Sequence, residues 1–179
     1  MKIALIGFGK MGKAVEEEIL EQKKHNIVSV SYKTKSDTLD LKGLSKADVV
    51  IDFTSAEIVL STIKTVLGLK KPMVVGTTGW YDKLPQVEKI VKQNKGSLIY
   101  GQNFSIGANI FFSITAFASQ LIGKYKGYDV FGIEAHHTGK KDSPSGTARK
   151  LAEIIIKNYP MKTTLQVEKL DRQIREGEL

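Results

Sequence analysis

The stretch Glu134-Ala135-His136-His137-Thr138-Gly139-Lys140-Lys141-Asp142-Ser143-Pro144-Ser145-Gly146-Thr147 is the most chemically informative part of the 179-residue chain. Adjacent His136 and His137, with Lys140 close behind, concentrate proton donors in one loop. Imidazole can supply or take up a proton near neutral pH. Lys140 offers a fixed positive charge or, where burial favours its neutral form, a proton. Pro144 suits a first helical position, with Asp142 or Ser143 as the cap. The N–H groups of Ser145, Gly146 and Thr147 would then point at the loop, and Gly146 would let a ligand approach the backbone. The expected result is a carboxylate-sized anion site flanked by His and Lys. The competing reading is a pair of inert surface or core histidines. A zinc site is not expected, because adjacent residues on an extended segment face opposite ways and no third ligand is near. His25, before the second strand, reads as a surface residue.

A second constellation, Gly7-Phe8-Gly9-Lys10-Met11-Gly12, is a G-x-G-x-x-G. Its context, after an apolar run and before a helical pattern, is what such a loop needs to bind a dinucleotide. Gly7 permits the tight turn, Gly9 lets the backbone approach a pyrophosphate, and Gly12 allows close helix–strand packing. The helix start offers N–H groups and partial positive charge to the phosphates. A P-loop is disfavoured because Ala14 stands where Ser or Thr would meet magnesium. The second strand ends in Ser31-Tyr32-Lys33-Thr34-Lys35, without the acid that often holds a ribose 2′-hydroxyl. Lys33 and Lys35 suit a 2′-phosphate instead, so NADPH is preferred or both cofactors are accepted. The alternative is that these lysines are merely solvated.

These loops need strands and helices to hold them. Short apolar runs at Lys2–Ile6, Ile27–Ser31, Ala47–Phe53, Pro72–Gly76 and Ser97–Tyr100 predict strands. Between them, helical spacing links Met11, Ala14, Val15 and Ile19, then Ile58 to Leu67, then Val87, Ile90 and Val91. Such alternation means a parallel sheet covered on both faces. Ser31 to Leu44 is polar and weakly periodic, and reads as a loop or degenerate crossover. Beyond Asn103 the rhythm changes. A long helix is expected from Gly107 to about Ile122, a strand over Asp129–Ala135, and a helix from Pro144 or Ser145 to about Asn158. Leu165–Val167 could start another strand. The fold class is therefore α/β. A Rossmann-like doubly wound parallel sheet, residues 1–106, precedes an incomplete α+β substrate-binding and oligomerisation domain, residues 107–179.

Composition narrows the function classes. At roughly 100–200 residues per domain, the length fits one domain or two small ones. Zero Cys excludes a disulfide framework, a thiolate metal site and a cysteine nucleophile. The net charge of +8 admits nucleic acid, an anionic membrane surface or an anionic small substrate. The lysines fall in scattered pairs (Lys23-Lys24, Lys70-Lys71, Lys140-Lys141), and aromatics are few, which argues against a nucleic-acid module. The most apolar stretch, Ile110–Ile122, is too short to span a bilayer and is interrupted by Ser and Thr. The N-terminus has no signal-peptide pattern, so the default location is cytoplasmic.

With both loops in view, the chain resembles the 4-hydroxy-tetrahydrodipicolinate (dihydrodipicolinate) reductase family. The resemblance rests on Ile6 to Gly12, Asp52-Phe53-Thr54, Gly76-Thr77-Thr78-Gly79, Asn103-Phe104-Ser105 and the E-x-H-H-x-x-K-x-D-x-P-S-G-T of Glu134 to Thr147. It implies NADH- or NADPH-dependent reduction of a cyclic dicarboxylate to tetrahydrodipicolinate, a step of the diaminopimelate route to lysine. It also implies roles. His136 is the proton donor or acceptor, and Lys140 the proton donor or substrate-charge partner. His137, Ser145, Gly146, Thr147 and Thr78 contact substrate. Gly7, Phe8, Gly9, Lys10, Met11 and Gly12 hold the cofactor with Lys33 and Phe53. Gly76, Thr77, Thr78, Gly101, Gln102, Asn103 and Phe104 line it near the nicotinamide. No metal is implied, and the family forms homotetramers.

The chain ends before the family's usual C-terminal portion, which leaves a truncated, inactive NAD(P)-binding homologue as the alternative expectation. Gly101-Gln102 also departs from the small-residue or proline variants expected before Asn103.

Overall fold

The computed structural model describes residues 1–31, 38–136, 143–167 and 177. The chain forms two compact units, Met1–Asn103 and Phe104–Leu179. Unit 1 is an α/β fold around five parallel strands: β1 (Lys2–Ile6), β2 (Asn26–Ser31), β3 (Val49–Asp52), β4 (Met73–Val75) and β5 (Leu98–Tyr100). They lie in the order β2-β1-β3-β4-β5. Helices α1 (Lys10–Gln22), α2 (Leu41–Lys46), α3 (Val59–Gly68) and α4 (Leu84–Asn94) make the crossovers, with one 3-10 turn at Tyr81–Lys83.

Period-2 alternation in β1 divides the core between the two sheet faces. Ile3 and Leu5 pack with Ile19 of α1 and with Val15, Ile27, Val30, Val49 and Ile51. Ala4 and Ile6 join the larger cluster on the opposite face, with Val50, Ile63, Val66, Leu67, Met73, Val87 and Trp80. A parallel sheet buried on both faces explains why the strands read as continuous apolar runs.

The strand order reverses at β1. The chain leaves β1 towards β2 on one side and returns to β3 on the other, so the loops after β1 and β3 diverge there. In such sheets the crevice at the carboxyl ends of the strands is where ligands bind. The ladder runs up to that edge: Gly7 N–H donates to Ser31, Phe53 to Ile6, Gly76 to Asp52 and Gly101 to Val75.

One feature differs from the sequence expectation in this unit. The polar span after Ser31 ends in a helix, α2, because Asp40 caps it by accepting from Gly43 N–H at 2.9 Å. Ser29 of β2 donates to the other oxygen of Asp40 at 2.9 Å, fastening the short helix to the sheet. A Cβ on Gly43 would lie 2.6 Å from that Ser29 hydroxyl oxygen. Only glycine allows this closeness, and neither contact is visible in periodicity.

Unit 2 carries α5 (Ile106–Ile122) and α6 (Gly146–Asn158), which pack together. Ser105 and Ser145 cap them, accepting from Ala108 N–H at 3.3 Å and Ala148 N–H at 3.1 Å. The residues the two helices bury are small, Ser119 and Ala152. Gln120 donates to Asn158 at 2.7 Å beside that contact. On the other side of α5, Ile106, Ile110, Ile114, Phe117 and Leu121 form one stripe that is 45–77% exposed.

The expected strand over Asp129–Ala135 makes no ladder among the described residues. Its start is held by side chains. Tyr159 Oη donates to the Tyr128 carbonyl at 2.5 Å, and buried Lys162 pairs with Asp129 at 2.7 Å. Leu165–Val167 likewise joins no ladder among the described residues. The N–H groups of Thr163 and Thr164 beside it reach the Gly177 carbonyl at 2.6 and 3.1 Å. The start of α6 is also corrected. Ser145 is the cap and Pro144 precedes it, so Ser143 does not cap the helix, and Asp142 lies outside the described residues.

Candidate active site

In unit 1 the glycine loop turns tightly off β1. Gly7 has φ +84°, and a Cβ there would lie 2.4 Å from the Phe53 carbonyl oxygen. A Cβ on Gly12 would lie 2.2 Å from the Gly7 carbonyl oxygen. Both positions exclude a side chain for reasons internal to the fold. Gly9 is different: a Cβ there meets nothing within 4 Å, and its φ is an ordinary −77°. Gly9 is the N-cap of α1, so no side chain caps that helix, and its first turn has no acid. A helix start leaves its first N–H groups without intrahelical partners, and here no side-chain cap is hydrogen-bonded to them.

Beside the loop stands a buried aspartate. Asp52 Oδ1 accepts from Thr54 N–H at 3.1 Å, Thr54 Oγ1 at 2.9 Å and Thr77 Oγ1 at 2.7 Å. It thereby joins the loop after β3 to the loop after β4. The Phe53 ring covers Gly76, where a Cβ would fall 2.0 Å from ring carbon Cε1. Trp80 is fully buried under the second loop and donates from Nε1 to the Thr77 carbonyl at 2.7 Å. Its ring meets Tyr100 of β5 edge-on, with centroids 5.4 Å apart.

In unit 2 the described part of the histidine segment meets the start of α6. Ser145 N–H donates to both oxygens of the Glu134 carboxylate, at 3.0 and 3.2 Å. Glu134 Oε2 is 3.8 Å from His136 Nδ1. One N–H of the expected anion site is therefore occupied by the chain's own carboxylate. Gly146 and Thr147 follow in the exposed first turn, and a Cβ on Gly146 would meet nothing within 4 Å.

The expected site residues thus fall into two groups. Gly7, Phe8, Gly9, Lys10, Met11, Gly12, Phe53, Gly76, Thr77, Thr78, Gly101, Gln102 and Asn103 sit at the carboxyl edge of the unit 1 sheet. Thr77 is buried and Thr78 exposed. Phe104 belongs to unit 2, with His136, Ser145, Gly146 and Thr147. Lys33, His137 and Lys140 lie outside the described residues, as do Lys35 and Asp142. Among the described residues, no three His, Cys, Asp or Glu side chains group as metal ligands, and no helix is long and apolar enough to cross a membrane.

Three contributors carry no role in the sequence reading: Asp52, Trp80 and Glu134. Asp52 ends an apolar strand, where a charge marks either an exit to solvent or a buried hub. Glu134 stands two residues before His136, the spacing that puts side chains on one side of an extended chain.

Two family models match successive parts of the chain. The family model of the dihydrodipicolinate reductase N-terminus matches residues 1–104, and that of the C-terminus matches residues 107–178. The chain is 36% identical over 173 residues to a 4-hydroxy-tetrahydrodipicolinate reductase of Christiangramia forsetii, an alignment covering 96% of this chain and 70% of the relative. It is 41% identical over 115 residues to the protein of the same name from Methanocaldococcus jannaschii, covering 64% of this chain and 41% of the relative. It is also similar to a solved structure of dipicolinate-bound dihydrodipicolinate reductase from Paenisporosarcina sp. TG-14. There the TM-score is 0.71 at 28% identity, over 97% of this chain and 72% of that one.

Proposed function

We propose that this chain, which belongs to the 4-hydroxy-tetrahydrodipicolinate (dihydrodipicolinate) reductase family, is an NAD(P)H-dependent oxidoreductase that reduces a cyclic dicarboxylate to tetrahydrodipicolinate in lysine and diaminopimelate biosynthesis. The observation that carries the reading is the start of α1, which is uncapped, free of acids and open at Gly9, while Gly7 and Gly12 are sterically confined. Those features fit a pyrophosphate laid against the first turn. Gly7 to Gly12 would hold it, with Phe53, Gly76 to Thr78 and Gly101 to Phe104 lining the rest. When bound, the nicotinamide supplies the hydride.

The chain's own residues would bind, neutralise and protonate. Gly146 and Thr147, at the start of α6, would take a substrate carboxylate together with Ser145, through its hydroxyl, and His137. Lys140 would balance the substrate's charge or supply a proton. His136 would give one proton from Nε2 for each hydride accepted, so that the ring ends neutral and is recharged from solvent. The dipicolinate-bound relative supports a dicarboxylate ligand. The basic surplus of +8 favours the same class. NADPH preference through Lys33, assembly as a homo-oligomer such as a tetramer, and a cytoplasmic location belong to the same proposal.

The test is oxidation of NADPH and NADH by the purified chain with freshly generated substrate. Substrate-dependent oxidation of either is the expected outcome, and the ratio of the two rates settles the preference. A folded chain that binds cofactor yet oxidises neither overturns the assignment.

A further inference from the structure

Glu134 is held from one side and reaches a functional ring on the other. Both its oxygens accept from the N–H of Ser145, itself buried at the cap of α6. That helix end carries partial positive charge, which favours a carboxylate there. Oε2 also lies 3.8 Å from His136 Nδ1. This is within ion-pair range of a protonated imidazole. A continuous line thus runs from α6 through a backbone N–H and a carboxylate to one edge of the imidazole. The opposite edge, Nε2, has no part in it.

We infer that Glu134 is a positioning residue for His136: anchored on α6, its carboxylate keeps a proton on Nδ1 and so dedicates Nε2 to proton exchange with the substrate. The inference rests on the reading of His136 as the proton-exchanging group. In the charged ring both nitrogens carry protons. When the Nε2–H bond breaks and that proton passes to the substrate, the Nδ1 proton stays facing the carboxylate, and the neutral ring is left in one tautomer. A neutral imidazole bears its proton on whichever nitrogen meets an acceptor. A carboxylate is acceptor-only and can serve both Ser145 N–H and Nδ1–H.

Glu134→Gln separates positioning from simple fastening of the segment. The amide oxygen of Gln still accepts from Ser145 N–H. Its NH2 then faces Nδ1, a donor that calls for an acceptor, and this turns the ring to the Nε2–H tautomer. The measurement is the 15N shift of the His136 ring nitrogens in the full-length labelled chain, assigned with His136→Gln, beside steady-state kinetics, cofactor affinity and thermal midpoint. The wild type should carry its neutral-ring proton on Nδ1 and Glu134→Gln on Nε2. The variant's kcat should fall about tenfold or more, with cofactor Kd within about twofold and the midpoint nearly unchanged. The same tautomer in both proteins, or a variant kcat within about twofold of wild type, overturns the inference. A wild-type ring protonated on Nε2 overturns it with no variant needed, which covers a Glu134→Gln chain that fails to fold. If the wild type oxidises neither cofactor, the reductase reading fails, and the tautomer comparison alone decides the place of Glu134.

Discussion

Three glycines in one loop answer to different constraints. Gly7 is fixed by a positive φ and by the Phe53 carbonyl, and Gly12 by the Gly7 carbonyl, whereas a side chain at Gly9 would enter open space. Gly9→Ala should therefore leave stability within about 0.5 kcal/mol of wild type, while cofactor affinity drops about tenfold, because the methyl group occupies the line of approach to the helix start. Gly7→Ala and Gly12→Ala should each cost roughly 2–3 kcal/mol, from backbone strain and collision with a fixed carbonyl. Denaturant titration and cofactor titration of the three variants check this. Equal stability losses at all three positions would show that Gly9 too serves the fold. Buried Asp52 is the counterpart on the other side of the switch point. It organises the Thr54 and Thr77 loops without reaching into solvent.

Among the elements, the segment after α5 shows how a chain can be held without a ladder. Alternation in Asp129–Ala135 suits a strand, but pairing requires a neighbour that alternation cannot supply. The described residues give the segment side-chain anchors instead, Lys162 on Asp129 at one end and Ser145 N–H on Glu134 at the other. The hydrogen bond from Lys162, then that from Val130 N–H, holds the Asp129 carboxyl below its ordinary value of 3.8. A lowered folded-state pKa contributes stability above the ordinary value and loses it as pH falls through the lowered one. Asp129→Asn should thus be less stable than wild type at neutral pH, and the gap should close as pH falls below about 4. Denaturation midpoints followed by circular dichroism across that range test the sign. A gap that stays constant down to about pH 2 would mean the pair acts through packing rather than charge.

For the whole molecule, charge is the property that bears on function. A net +8 on 179 residues, without a dense basic run, raises the local concentration of anions diffusely. Diffuse attraction is screened over about 8–10 Å at physiological salt. The KM for a dianionic substrate should accordingly rise about threefold or more between roughly 50 and 300 mM salt, while kcat changes little. A KM indifferent to salt would confine recognition to short-range contacts at the start of α6. The division of the chain also has a physical basis. Unit 1 has a core on both faces of a closed set of crossovers, whereas unit 2 buries small residues between two helices and leaves the apolar stripe of α5 exposed.

The amino-acid sequence by itself determined the strand–helix alternation, the parallel sheet and the family. Those signals are local: apolar runs of strand length, helical spacing, a glycine loop between them, and a fourteen-residue motif whose members are neighbours in the chain. Tertiary structure alone decided which glycines are confined and which is open, because a missing Cβ is explained only by what would collide with it. It also decided that Ser145 rather than Ser143 caps α6, that Asp40 starts a helix inside a polar span, and that Asp129–Ala135 joins no ladder among the described residues. Partners distant in sequence then hold several of these residues in place: Ser29 for Asp40, Lys162 for Asp129, Ser145 for Glu134. Periodicity records which side of an element is apolar, but not which polar atom waits on the far side of a turn.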